Sequence, residues 1–335
     1  MGIHTLAGWY PMVDNIIEVE ALKVHFPVRG GFLQREVGPV RAVDGVSFFV
    51  QEGETLGLVG ESGCGKSTTG LAVLRMLPVT SSKITIEGID ITNFDQNEMR
   101  PIRRRMQMVY QDPFGSLDPR MSIGDIISEP LEIHRLHNNK ADRRDRVTEL
   151  LLMVGIRLDM IERYPHQLSG GQRQRVSIAR ALAVEPRLLI CDEPVSALDV
   201  SIQAQVVNLF QELQEKLGLS TIFVAHDLAV VRHVSQRVAV MYLGTIVEIA
   251  SRDELYASPK HPYTKALMAA IPVPNPVLEA SRAHQTIDGE IPSAQRPPSG
   301  CRFHTRCIHV MPICSEIAPE LRSEGNSSVA CHLYS

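Results

Sequence analysis

The sequence predicts an α/β fold in which a parallel sheet with crossover helices is organised around a phosphate-binding loop. Three observations predict it. Residues 60–67 match the spacing G-x-x-x-x-G-K-[ST], with Gly60, Gly65, Lys66 and Ser67 at the fixed positions. This stretch lies between an apolar run at 55–59 and a helical pattern from Thr68 to about Leu77, the strand, loop and helix setting in which such a loop works. Short apolar runs then alternate with helical segments through the second half of the chain, which argues for parallel strands joined by crossovers.

At 335 residues with 44% hydrophobic side chains, the chain can bury a full core and is long enough for a large domain plus an appendage, or for two domains. The 34 basic residues nearly balance the 38 acidic ones, and a net charge of −4 argues against a chain built to bind nucleic acid. Two local basic clusters stand out, Arg100 with residues 103–105 and Arg143, Arg144 and Arg146. The second alternates with Asp142 and Asp145, as a solvated helix face does. No apolar run approaches the ~18 residues of a membrane helix. Residues 238–243 are among the longest, and the first 15 residues do not read as a signal peptide. The expectation is a cytosolic chain whose role at a membrane comes through a partner.

Taken in order, residues 16–26 alternate well enough for a strand, residues 27–31 mark a loop, and residues 43–50 form a second strand, together an antiparallel sheet beside the nucleotide. Phe26 closes the first strand where a ring could stack on adenine, although a core Phe fits the pattern equally. Residues 83–90 read as a hairpin strand and turn, and residues 105–111 as a buried strand ending in the amide Gln111. Residues 112–119 break regular structure, and from Ile123 to about Met153 the pattern is helical. Ser169 and Gly170 precede a helix from about Arg173 to Ala183. A four-residue apolar strand at 188–191 delivers Asp192 and Glu193 at its carboxyl end, where ligands sit in an open parallel sheet. A connection at 196–199, a helix at 202–217 and a buried strand at 221–225 ending in His226 complete the pattern. Pro272, Pro274 and Pro276 mark a boundary near residue 270.

The chemistry of the loop follows from its residues. Gly60, Gly63 and Gly65 have no Cβ to keep the backbone N–H groups from phosphate oxygens. Lys66 brings a point charge to the β- and γ-phosphates, Ser67 offers a hydroxyl to Mg²⁺, and the helix behind aims its positive end at the same anion.

Residues 60–67, Gln111, residues 168–172, 188–193 and 196–199, and His226 occur in an order and spacing that resemble ATP-binding cassette (ABC) proteins across about residues 16–255. Residues 112–120, 193–199 and 261–264 and the cysteine-containing tail resemble the ATPase subunits of oligopeptide and dipeptide importers, the F-type subunit in particular. The resemblance implies a P-loop NTPase core with an antiparallel β subdomain, an α-helical insert at about 112–180 and a small Cys-rich extension. It divides the chain into a nucleotide-binding domain at 16–270 and an extension at 271–335.

It further implies ATP and Mg²⁺, bound by the loop through Ser62, Cys64 and Thr68 as well as the residues above, with Phe26 as the adenine-stacking aromatic. Asp192 then holds Mg²⁺ through water, Glu193 orients and deprotonates the attacking water, His226 contacts the γ-phosphate, and Gln111 approaches both metal and water. A lone His or Gln at such positions is otherwise more often structural. Ser169, Gly170, Gly171 and Gln172 are implied to face the nucleotide held by an opposite ATPase subunit, and Asp199 lies in the connection beside it. The implied partners are a homologous ATPase subunit, two transmembrane permease subunits and, indirectly, an extracytoplasmic solute-binding protein; Phe114 and Leu117, apolar residues in a turn-like stretch, either contact a permease subunit or pack beneath the helical insert. The implied location is the cytoplasmic face of the inner membrane. Nickel, glutathione or oligosaccharide are alternative solutes. A soluble cassette protein of translation or DNA repair is a rival reading, but the tandem cassettes, coiled-coil arms or basic surface expected of it are absent.

Cys64 and Cys191 stand singly, whereas Cys301, Cys307, Cys314 and Cys331 fall within the last 35 residues. A reducing compartment disfavours disulfides, and so small a segment needs some other cross-link. Four thiolates suit zinc or an iron–sulfur cluster, and their spacing does not separate the two. The resemblance tips the expectation to a [4Fe–4S] cluster, with Arg302, His304 and Arg306 nearby to offset its charge.

Overall fold

The computed structural model describes residues 15–30, 35–137, 139–271 and 289–334. The strands are β1 (Asn15–Gly30), β2 (Arg35–Gln51), β3 (Thr55–Val59), β4 (Ser81–Ile86), β5 (Ile89–Asp90), β6 (Met106–Val109), β7 (Leu188–Asp192), β8 (Ser220–Ala225), β9 (Arg237–Tyr242), β10 (Thr245–Ser251), β11 (Arg322–Glu324) and β12 (Ser327–Val329). Two sheets result. One is antiparallel with order β2-β1-β4-β5, and the other runs β11-β12-β10-β9-β3-β8-β7-β6.

In the larger sheet β6, β7, β8, β3 and β9 are parallel neighbours. Their apolar runs are continuous because both faces are covered. Leu188, Ile190, Ile222, Val224, Ala239 and Met241 point to a core shared with the antiparallel sheet. Their alternates Leu189, Cys191, Phe223, Val238 and Val240 point to a second core shared with the helices.

Among the described residues the α-helices are α1 (Lys66–Val73), α2 (Gln96–Arg105), α3 (Pro113–Ser116), α4 (Ile123–Ile133), α5 (Lys140–Met153), α6 (Gly170–Leu182), α7 (Val200–Leu217), α8 (Leu228–Val234), α9 (Arg252–Ala257), α10 (Pro262–Ala269) and α11 (Pro312–Glu316). From 113 to 182 the described residues hold helices and turns but no strand. Ile123, Ile126, Ile127, Val147, Leu150 and Leu151 of α4 and α5 join Val176 and Ala179 of α6 in the second core.

Several expectations need correction. The first strand continues through Pro27 to Gly30 instead of looping; beyond Lys23 it is paired with β2 alone, so the missing N–H of Pro27 falls where the ladder has an open side. The loop helix ends at Val73, and Arg75 follows at a φ of 55°. Residues 112–119 contain one helical turn, α3, whose N-cap Asp112 accepts from the Phe114 N–H. Pro272, Pro274 and Pro276, which marked the boundary, lie outside the described residues.

The tail also does something its sequence does not announce. β12 pairs with β10, placing Ser327, Ser328 and Val329 opposite Ala250, Ile249 and Glu248, so residues 322–329 lengthen the sheet that carries the phosphate loop.

Candidate functional site

Parallel alignment puts the carboxyl ends of β3, β7, β8 and β6 on one edge, and this edge gathers the loop, Asp192, Glu193, His226 and Gln111. Gly60 has φ 154° and Gly65 has φ 108°. A Cβ at Gly60 would lie 2.1 Å from the Met241 carbonyl oxygen, and one at Gly65 would lie 2.2 Å from that of Ala42. Both positions therefore demand glycine for space as well as for backbone conformation. Ser62 and Gly63 are exposed, Thr68 is half-buried, and Cys64 is buried beneath the loop. Lys66 Nζ donates to the carbonyl oxygens of Gly60 (2.8 Å) and Glu61 (3.0 Å).

Ser67 Oγ donates to Asp192 Oδ1 at 2.8 Å. Burial pushes the Asp192 carboxyl above the ordinary carboxylate range; the Ser67 hydroxyl opposes the rise, Glu193 adds to it and Lys66 opposes it. Next to it, Glu193 has a φ of 43°, a left-handed conformation uncommon for this residue type. Its Oε2 receives Gln111 Nε2 at 3.1 Å and lies 3.1 Å from His226 Nδ1. Two residues from the ends of β6 and β8 thus converge on one carboxylate oxygen at the end of β7. The arrangement fixes an acceptor beside a pair of hard oxygen donors, which suits deprotonation of a water next to a Mg²⁺-bound phosphate.

Ser169 caps α6. Its Oγ accepts from the Gln172 N–H while Gln172 Oε1 accepts from the Ser169 N–H. Ser169 and Gly170 are exposed, as are Asp199 and its neighbour Val200, which is 82% exposed. Among the described residues no hydrogen bond joins residues 169–172 to the phosphate loop. Gly171 has a packing reason of its own, since a Cβ there would sit 2.4 Å from Ile202 Cγ2 on α7. Phe26 is half-buried against the core of the antiparallel sheet, opposite Val40.

A groove beside Asp192 is lined by Met76, Tyr110, Gln111, Gly115 and Arg180. Phe114, next to Gly115 in the chain, is 52% exposed, with the Arg173 guanidinium 5.1 Å from the ring centroid. Of the two readings open for Leu117, packing beneath the insert holds: it is 2% exposed and packs in the helical core, so it offers nothing to a partner.

A family model described as ABC transporter matches residues 43–196, and one described as the oligopeptide/dipeptide transporter C-terminal region matches residues 247–314. The chain is 51% identical over 324 residues to the oligopeptide transport ATP-binding protein AppF of Bacillus subtilis, covering 96% of this chain and 98% of that one. It belongs to the ABC transporter family. OppF of Salmonella typhimurium, also an oligopeptide transport ATP-binding protein, is 52% identical over 318 residues, covering 94% and 95% of the two chains. Among solved structures, the ATP-binding cassette MJ0796, a dimer in a post-hydrolysis state with ADP and Pi, superposes with a TM-score of 0.63 at 28% identity, covering 70% of this chain and 98% of that one. CbiO1 of Clostridium perfringens gives 0.63 at 27% identity, covering 73% and 92%.

This ABC ATPase carries a layer behind its phosphate loop that sequence reasoning missed. The Gly244 N–H donates to the Cys64 carbonyl oxygen at 2.8 Å, and the Glu61 N–H to Tyr263 Oη at 2.9 Å. Arg306 reaches the Glu61 carboxylate from the tail, with contacts of 2.9 and 3.2 Å. Arg302 bonds Asp44 and the Leu243 carbonyl oxygen, and His25 Nε2 lies 2.9 Å from the same Asp44. The His261-Pro262-Tyr263-Thr264 stretch was the signal, but nothing in it names the loop as its neighbour.

The six cysteines make no disulfide, and among the described residues no group of three or more His, Cys, Asp and Glu is arranged to hold a metal ion. Burial pushes the Cys301 thiol up to about 11, and Cys314, Cys331 and Cys307 add to the rise. Arg302 and Arg306, expected to offset a cluster's charge, are instead paired with Asp44 and Glu61. No described helix is long and apolar enough to cross a membrane.

Proposed function

We propose that this ABC ATPase powers uptake of di- and oligopeptides through separate membrane subunits. The observation that carries the reading is identity of about one half, running through both the cassette and the C-terminal region, to oligopeptide transport ATP-binding proteins. In this reading residues 16–270 are the nucleotide-binding domain, residues 271–335 are a small Cys-rich extension, and the subunit sits peripherally on the cytoplasmic face of the inner membrane.

ATP binds along Gly60 and residues 62–68, with Phe26 against adenine and Lys66 exchanging a carbonyl partner for a phosphate oxygen. Ser67 Oγ and Asp192 Oδ1 fit Mg²⁺, being paired hard oxygens at one strand edge, with Gln111 alongside. Bound there, the ion offsets negative charge on the phosphate oxygens. Glu193 takes the proton of the attacking water, and Gln111 and His226 hold its carboxylate in place.

Exposed Ser169, Gly170 and Asp199 support a second ATPase subunit docked head to tail, so that the N-terminus of α6, with Gly171 and Gln172, faces the partner's nucleotide. A homologous subunit, forming a heterodimer, is the partner we favour. Phe114 then contacts a permease subunit, and its neighbour Arg173 on α6 links that contact to the opposite ATP.

Four cysteines within the last 35 residues, Cys301, Cys307, Cys314 and Cys331, support a thiolate ligand set for a [4Fe–4S] cluster or, failing that, Zn²⁺. Metal analysis of anaerobically purified protein separates the two.

The test of function is to isolate the chain with its membrane subunits in mild detergent, reconstitute the complex with its binding protein in vesicles, and measure ATP hydrolysis. Peptides should stimulate hydrolysis and accumulate inside. Stimulation by nickel, glutathione or an oligosaccharide without a peptide response would overturn the peptide assignment.

A further inference from the structure

Glu61, the first variable position of the phosphate loop, carries a negative charge in a segment that must receive a polyanion. Two groups control it. The Tyr263 hydroxyl accepts from the Glu61 N–H at 2.9 Å, and Arg306 takes its carboxylate in a two-pronged grip, Nη1 to Oε2 at 2.9 Å and Nη2 to Oε1 at 3.2 Å. The Arg306 side chain is only 6% exposed, so water screens this pair little. Both groups stand on one aromatic shelf. The rings of Tyr242 and Tyr263 lie 4.7 Å apart, and Phe303 meets them at 5.2 and 5.4 Å. All three are buried, and the Arg306 guanidinium lies 5.9 Å from the Tyr242 centroid. Phe303 precedes the single 3₁₀ turn His304–Arg306, so its anchorage in the shelf fixes where the guanidinium can reach.

We propose that Arg306 is a positioning residue for ATP binding: it neutralises the Glu61 carboxylate and, with Tyr263, holds the first turn of the phosphate loop open to the incoming phosphates. The residue acts through Glu61 and touches no phosphate itself. Its grip needs the planar fork of a guanidinium, which an ammonium does not reproduce. Without it, an uncompensated carboxylate remains in the loop that binds phosphate and repels the nucleotide.

The test is equilibrium ATP binding and steady-state hydrolysis by the full chain carrying Arg306→Ala, Arg306→Lys, Glu61→Gln, or Arg306→Ala with Glu61→Gln. Arg306→Ala should raise the ATP Kd and KM about tenfold while kcat changes less than about twofold, since loss of a charge-assisted contact acts on binding. Arg306→Lys should recover part of the loss. Glu61→Gln should bind ATP as tightly as the unmodified chain or more tightly, and in the double variant affinity should return to within about threefold, because no carboxylate then needs neutralising. If Arg306→Ala lowers thermal stability but leaves ATP affinity unchanged, Arg306 merely pins the tail and the proposal is overturned. A double variant as weak as Arg306→Ala overturns the role of Glu61. Should Arg306→Ala not fold, weaker ATP binding by Glu61→Gln decides against the proposal. A Lys66→Ala control separates these outcomes from failure of the ATP site itself, because it should abolish binding in every background.

Discussion

Replacing Glu193 with Gln isolates one property of the site. The side chain is 14% exposed, and its Oε2 lies 3.1 Å from both Gln111 Nε2 and His226 Nδ1. Glutamine has the same shape and keeps one oxygen to accept from these neighbours, so the loop, the Ser67–Asp192 contact and ATP binding should persist. What disappears is the negative charge and the basic lone pair. A positioned general base contributes about 10²- to 10⁴-fold, or about 2.7–5.4 kcal/mol of barrier. Hydrolysis by the assembled transporter should fall by that factor, measured as phosphate release at saturating ATP, while equilibrium ATP binding stays within about twofold of the unmodified complex. A Glu193→Gln complex that binds ATP normally and retains more than about a third of its turnover refutes general-base action, since loss of even a weak base costs more.

Other predictions follow from the same geometry. Ser169→Arg in this subunit of a mixed ATPase dimer should reduce hydrolysis at the partner's phosphate loop about 10²-fold and spare its own, read with each loop inactivated in turn; an effect confined to its own loop contradicts head-to-tail assembly. Because burial raises the Asp192 pKa above 3.8 and Mg²⁺ requires the ionised form, Mg²⁺ affinity should weaken as pH falls through a range above that of a free aspartate, and Asp192→Asn should remove this dependence. His261 is buried, and burial lowers its pKa from 6.5 to about 3. The unfolded chain therefore binds one more proton between these values, and stability falls as pH drops through that window, by up to ~1.4 kcal/mol per pH unit. His261→Asn keeps an acceptor for the Tyr263 N–H and should flatten the acid side of the stability curve, measured by denaturant unfolding.

The parts of the site that the sequence made legible are those whose chemistry is local. Residues 60–67 declare a phosphate loop because spacing alone dictates the backbone path. Asp192, Glu193 and His226 were legible because a short apolar run that stops at a polar residue marks the carboxyl end of a buried strand. Period-two and helical patterns likewise gave the alternation of strands and helices, since burial on two faces or on one stripe leaves its trace in neighbouring residues.

Tertiary structure decided what depends on partners far along the chain. The pairing of Glu61 with Arg306 spans 245 residues, and no local pattern distinguishes this arginine from one on a solvated surface. Leu117 could by its sequence either meet a partner or pack beneath the insert, and the fold buries it in the helical core. Gly171 is small because Ile202 of another helix lies against it. Convergence of Gln111 and His226 on one oxygen of Glu193 follows from β6, β7 and β8 lying side by side in parallel, and β12 joins the same sheet because β10 leaves an edge whose backbone groups need partners. In each case the deciding interaction is a contact between segments, and its energy depends on a separation in space that the order of residues does not encode locally.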